Sequence, residues 1–203
     1  MKCNKIFSAA AAVLVCTAAA ISSNAQDNRL TLEDIYRNHA YTAKGVSAFR
    51  WADEGHSFLT TEHNDSTGGQ DIVLNDVRTG AKTVLVPASS LIPEGWDRPL
   101  QINGYTWSPD GSQLMVYTDA RRVWRTAKRG NYWLYTPATG ELRRLGLPDF
   151  EPSMMQFAKF SPDGTKVAYV YKNNLYVENL KDGTVRQLTF DGNDEIINGQ
   201  FDR

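Results

Sequence analysis

"WSPDGSQLMVY" runs from Trp107 to Tyr117 and "FSPDGTKVAYV" from Phe160 to Val170. Both read aromatic, Ser-Pro-Asp-Gly, then alternating apolar residues. A worn copy, "WADEGHSFLTT", begins at Trp51. The starts lie about 56 and about 53 residues apart, a spacing that indicates a repeated structural unit. Within each copy, proline presets φ, aspartate caps the turn and glycine takes a positive φ. The aromatic residue ends one strand. The runs "QLMVYT" and "KVAYVY" alternate as a half-buried strand does.

A second hairpin follows in every copy. "DIVLNDVRTGAKTVLV" turns at Thr79-Gly80, "NYWLYTPATGELRRL" at Thr139-Gly140 and "NLYVENLKDGTVRQLT" at Asp182-Gly183. Each unit is therefore four short antiparallel strands. Four-stranded units repeated at this spacing point to an all-β chain, a partial β-propeller of about three blades. A β-sandwich also has short, evenly spaced strands, but gives no reason for one turn to recur in register. The Ser-Pro-Asp-Gly turns are read as structural.

Outside the repeat, Thr31 is an N-cap for one short helix, Leu32 to about Arg37, with acids in the first turn. "HNDSTGGQ" (His63–Gln70) reads as a flexible hairpin loop. "PASSLIPEGWDRPLQ" (Pro87–Gln101) reads as the link between the first two blades. The expected division is a signal peptide over 1–25, an entry segment over 26–45 and the incomplete propeller over 46–203. Three blades leave a ring open, and the chain ends directly after its third unit, so the sequence reads as the front part of a longer protein.

The signal peptide rests on Lys2 and Lys5, an apolar alanine-rich run from Ile6 to Ile21, and Ser23 and Ala25 at the −3 and −1 positions of a small-x-small cleavage site. The run is shorter than the roughly 20 residues that span a bilayer, which counts against an anchor. Bulky Val15 before Cys16 counts against a lipoprotein. Export to the periplasm or the medium is the expectation. Both cysteines, Cys3 and Cys16, fall inside this segment. The remainder thus has neither disulfide nor thiolate. Loss of Lys2 and Lys5 takes the formal charge from −1 to about −3, a poor balance for nucleic acid or an anionic membrane.

The sequence offers little chemistry. There is no G-x-S-x-G nucleophile elbow. His39, His56 and His63 form no metal-binding spacing. "STGGQD" lacks the helix that a phosphate cradle needs. Asp53, Asp110, Asp163 and Asp182 are accounted for as turn caps. No catalytic residue, metal ligand or cofactor is expected. What stands out is "RRVWRTAKRG" (Arg121–Gly130), with five basic residues and a tryptophan in ten positions. It falls in or beside the central hairpin of the second unit. Composition alone reads it as a solvated loop. Trp124 beside Arg125 suggests instead an indole that holds its neighbour and aims a planar guanidinium fork at carbonyl or carboxylate oxygens.

Those residues carry a family resemblance. "RRVWR", "RGNYWLY", the run from Ser153 to Asp202 and the entry "LTLEDIYRNHAYTAKGV" resemble the N-terminal propeller of dipeptidyl peptidase IV-like serine peptidases. The resemblance implies a C-terminal α/β-hydrolase domain with a Ser-Asp-His triad. It implies removal of dipeptides from peptide N-termini, with proline or alanine preferred next to the cut. It also implies that Arg125, positioned by Trp124, contacts a substrate carbonyl, and that a glutamate pair holds the substrate's free amine. That pair belongs to a stretch expected after "NG-x-F", where this chain has Asp202 and Arg203 and then ends. The chain alone is therefore expected to be inactive. The partners implied are a peptide with a free N-terminus and the catalytic domain, with a homodimer left open for the full-length form. The competing reading is a non-catalytic periplasmic binding propeller for protein or envelope partners.

Overall fold

The computed structural model describes residues 30–43, 48–123 and 126–200. Residues up to 46 and residues from 47 onward form separate compact units. In the first, helix α1 spans Leu32–Tyr36. The Asp34 amide donates to Thr31 Oγ1 at 3.0 Å, which satisfies one of the free N–H groups of the first turn. The helix stops one residue earlier than expected, because Arg37 is its C-cap. The expected signal peptide lies outside the described residues.

The second unit is three antiparallel four-stranded meanders. The first contains β1 (Phe49–Ala52), β2 (Ser57–Asn64), β3 (Gly69–Asp76) and β4 (Lys82–Val86). The second contains β5 (Gly104–Trp107), β6 (Leu114–Val123), β7 (Thr126–Thr136) and β8 (Glu141–Arg144). The third contains β9 (Met155–Phe160), β10 (Lys166–Tyr171), β11 (Asn174–Asn179) and β12 (Val185–Gln187). The described chain is thus nearly all β, in three blades.

Turn chemistry sets these boundaries. Gly111 and Gly164 both sit at φ +71°, where only glycine is free of steric cost. Asp110 Oδ1 accepts from the Ser112 amide at 3.1 Å and from the Ser108 hydroxyl at 2.6 Å. Asp163 repeats this with Thr165 and Ser161. The hydroxyl and amide donors hold both carboxyls down at about 2.

Side chains alternate across every strand, and the second blade uses both of its faces. Leu114 and Val116 of β6, with Trp133 and Tyr135 of β7, pack on Leu59, Ile72 and Val86 of the first blade. Met115, Tyr132 and Leu134 point the other way, onto Met155, Val167 and Tyr169 of the third. The expectation of a half-buried strand is therefore corrected for "QLMVYT": it is a central layer covered on both sides.

In "HNDSTGGQ" the hairpin turn narrows to the four residues Asp65–Gly68, since β2 runs to Asn64 and β3 starts at Gly69. The first link carries a short 3-10 helix, Ala88–Leu91, and buries Leu91 and Leu100 in the first interface. The second and third blades are continuous, because Arg129 and Gly130 of β7 pair with Gln156 and Met155 of β9.

Candidate functional site

β6 and β7 are the longest strands among the described residues, at 10 and 11 residues. Beyond the blade they continue as a two-stranded arm, paired at Arg121↔Arg129, Arg122↔Ala127 and Val123↔Thr126. The basic stretch read from sequence as a loop is therefore largely extended backbone. Ladder hydrogen bonds come from the main chain, so basic side chains do not prevent them. Trp124 and Arg125, the two residues singled out by sequence, lie outside the described residues. The arm's described part ends at Val123 and Thr126, their neighbours in the chain.

The root of the arm is tightly specified. A β-bulge interrupts the register between Thr118 and Arg121, with Asp119 at φ 51°. Such a bulge re-aims whatever follows it. Three asparagine and serine contacts hold it. The Asn131 amide donates to Asp119 Oδ2 at 2.8 Å. The Ala120 N–H donates to Asn103 Oδ1 at 2.9 Å. The Ser153 N–H donates to Asn131 Oδ1 at 2.7 Å. Across the ladder, Tyr117 of β6 donates its phenol proton to the Arg129 carbonyl of β7 at 2.7 Å. At Gly130 a Cβ would meet the Tyr117 ring and come within 2.6 Å of the Thr118 carbonyl oxygen. Only glycine lets the strands approach this closely.

Arg121, Arg129 and Gln156 are consecutive cross-strand partners over β6, β7 and β9, so their side chains share one face. Arg121 and Arg122 are exposed and Arg129 is half-buried. Among the described residues, no carboxylate pairs with any of the three. Gln156 comes from the third blade, and sequence reading passed over it because its contact with β7 has no local signal. No group of three or more metal-ligating side chains occurs among the described residues.

An all-β unit of repeated four-stranded blades with a basic hairpin arm defines the class as a partial propeller. Residues 108–202 match the family described as "Dipeptidyl peptidase IV (DPP IV) N-terminal region". The chain is 26% identical over 187 residues to a probable dipeptidyl-aminopeptidase B of Pyrenophora teres f. teres, covering 89% of this chain and 20% of the relative. It is 32% identical over 156 residues to a probable dipeptidyl-aminopeptidase B of Talaromyces marneffei, covering 76% and 16%. The structure resembles that of Porphyromonas gingivalis dipeptidyl peptidase 4 with a TM-score of 0.64 at 23% identity, covering 82% of this chain and 22% of that one. The chain thus carries a dipeptidyl peptidase IV-like N-terminal propeller region and spans about a fifth of the length of the relatives it matches.

Proposed function

We propose that this chain is the substrate-reading propeller of an exported dipeptidyl peptidase IV-like serine exopeptidase, which removes N-terminal dipeptides with proline or alanine at the penultimate position. The observation that carries this reading is the family match over 108–202, which takes in the whole β6–β7 hairpin and with it the Trp124-Arg125 pair. In this reading Arg125 donates to a backbone carbonyl of the bound peptide and Trp124 fixes its direction. The nucleophile, base and amine-holding acids come from sequence beyond residue 203. The leader over 1–25 directs export.

The test uses the complete gene product that contains this segment, assayed on a neutral Ala-Pro chromogenic substrate. Arg125→Ala removes a charge-assisted hydrogen bond of roughly 1.5–3 kcal/mol. That corresponds to about a ten- to hundred-fold loss in kcat/KM. Arg125→Lys restores little, since a point charge does not reproduce the fork. Arg121→Ala and Arg129→Ala cost far less on this neutral substrate. No turnover by the complete product, or an equal loss in all three alanine variants, would overturn the reading.

A further inference from the structure

Beside the arm root lies a cleft of about 360 Å³, between the start of β7 and β9, the β10–β11 turn and the 192–194 segment. Its lining includes Arg129, Gln156, Lys172, Asn173, Gly192 and Asp194. Two features mark this cleft. The first is charge: Arg129 faces Arg121 directly across the β6–β7 ladder, and like charges in that arrangement repel. No carboxylate among the described residues lies within ion-pair distance of either guanidinium, although Asp194 lines the same cleft. The second is Gln156. It is only 3% exposed and lines the cleft, but its amide is not among the fully buried polar atoms left without partners, which among the described residues are Trp133 Nε1 and Arg143 Nη2.

The walls of the cleft are otherwise satisfied. Asn173 Nδ2 donates to the Asn193 carbonyl at 2.9 Å, and Asn173 Oδ1 accepts from Gln200 Nε2 at 2.8 Å. The Gly192 N–H donates to Asn174 Oδ1 at 3.0 Å. A Cβ at Gly192 would lie 2.6 Å from the Asn174 amide nitrogen and against the Asn173 carbonyl. Lys172 is bound to Glu151 at 2.5 Å in an exposed pair. The lining groups without a described partner are the Arg129 fork and the Gln156 amide, adjacent cross-strand partners on one face, and the Asp194 carboxylate.

We propose that this cleft is a binding site for a carboxylate, namely an acidic side chain of a peptide held by the propeller, and the proposal rests on the peptide-reading function above. A carboxylate supplies what both groups lack. It brings negative charge to the Arg129 guanidinium, with bidentate geometry available, and an acceptor oxygen to Gln156 Nε2. It also relieves the Arg121–Arg129 repulsion.

The test tethers the full chain to a sensor surface and measures binding of two alanine-based peptides with free N-termini, identical except for one Glu or Gln. The Glu peptide is expected to bind about tenfold more tightly at low salt, with the preference shrinking as salt rises. Arg129→Ala removes the preference and leaves Gln-peptide binding unchanged; Arg129→Lys, which retains the charge and the strand, keeps part of it. Circular dichroism verifies that both variants fold. Equal affinity for the two peptides, or a preference that survives Arg129→Ala, overturns the carboxylate site while leaving peptide reading intact. If neither peptide binds, the peptide-reading function is left to the complete gene product, and the cleft is judged on N-acetylglutamate against N-acetylglutamine. Binding of the acid alone, lost in Arg129→Ala, upholds the site, and any other result overturns it.

Discussion

Arg143 Nη1 lies 2.5 Å from Glu178 Oε1, joining β8 of the second blade to β11 of the third. Glu178 is 1% exposed, so its charge must be met within the protein. Its other oxygen accepts from the Gly146 N–H at 2.8 Å and from the Tyr169 phenol at 3.4 Å. Burial, with this carboxylate beside it, pushes the Tyr169 phenol well above its ordinary range. Three donors from three parts of the chain thus converge on one acid at the blade interface.

Glu178→Gln should therefore destabilise the chain by about 2–4 kcal/mol, because it leaves the Arg143 guanidinium uncompensated at a mostly buried position. Replacing both partners with leucine should cost less than the single change, since no buried charge is then stranded. Urea unfolding in dilute solution reads both as shifts in midpoint at constant slope. A loss below about 0.5 kcal/mol in Glu178→Gln would show that the pair contributes little beyond its packing.

The two Ser-Pro-Asp-Gly turns predict a pH dependence. Asp110 and Asp163 titrate in the fold at about 2, below the value near 4 of an unfolded chain. A carboxyl with a lowered folded pKa stabilises the fold above its unfolded pKa, and that contribution disappears as pH falls through its folded pKa. Stability should therefore decline between about pH 4 and pH 2, and Asp110→Asn with Asp163→Asn should flatten this part of the curve. Carboxyl carbon chemical shifts give the two midpoints directly. Midpoints near 4 for both residues would remove the basis for the claim.

Gly130 is the tightest point of the arm root. Gly130→Ala should displace β7 from β6, since the new methyl meets the Tyr117 ring and the Thr118 carbonyl. Overpacking of this kind costs about 1–3 kcal/mol. Tyr117→Ala in the same chain relieves only the ring contact and should recover part of that loss. Amide exchange across Arg121–Val123 and Thr126–Arg129 would show whether the arm's ladder opens with it. Unchanged protection and stability in Gly130→Ala would mean that the root has more room than the geometry indicates.

The turns were legible because their chemistry is local: an aspartate, a hydroxyl and a glycine within five residues determine the geometry at Gly111 and Gly164. Blade number followed from the recurrence of those turns. The role of the second blade as a central layer was less legible. Met115 and Leu114 are both apolar, and only tertiary packing reveals that they face different neighbours. The arm was misread because five basic side chains suggested a loop, whereas strand pairing there depends on backbone groups and on the bulge at Asp119. The cleft was invisible to sequence, since Arg129 and Gln156 meet only through the β7–β9 bridge. Of the residues the sequence put forward as the site, Trp124 and Arg125 lie outside the described residues, while the root that carries their hairpin is fully described.

The outer face of the first blade predicts how the chain behaves in solution. Among the described residues β1 is an edge strand, paired only with β2. On the face turned away from the second blade, Phe49, Trp51 and Phe58 form an edge-to-face cluster, with ring centroids 5.4, 5.9 and 6.1 Å apart. Phe49 is 49% exposed, Trp51 59% and Val84 of β4 51%. In a closed ring a further blade would cover such a face; among the described residues these side chains are exposed and β1 and β4 are the edges of their sheet. The chain should therefore self-associate reversibly as concentration rises, and the association should use this face. Phe49→Ser combined with Trp51→Ser should shift the equilibrium toward monomer with little loss of stability, because both side chains are already largely in water and the core of the blade lies on its opposite side. Sedimentation velocity over a wide concentration range measures the shift, and thermal melting confirms that the fold survives. A sedimentation coefficient independent of concentration in the unmodified chain would show that the aromatic cluster does not drive association. Association undiminished in the double variant would assign it to the third blade instead, where Phe157, Leu188 and Phe190 are exposed.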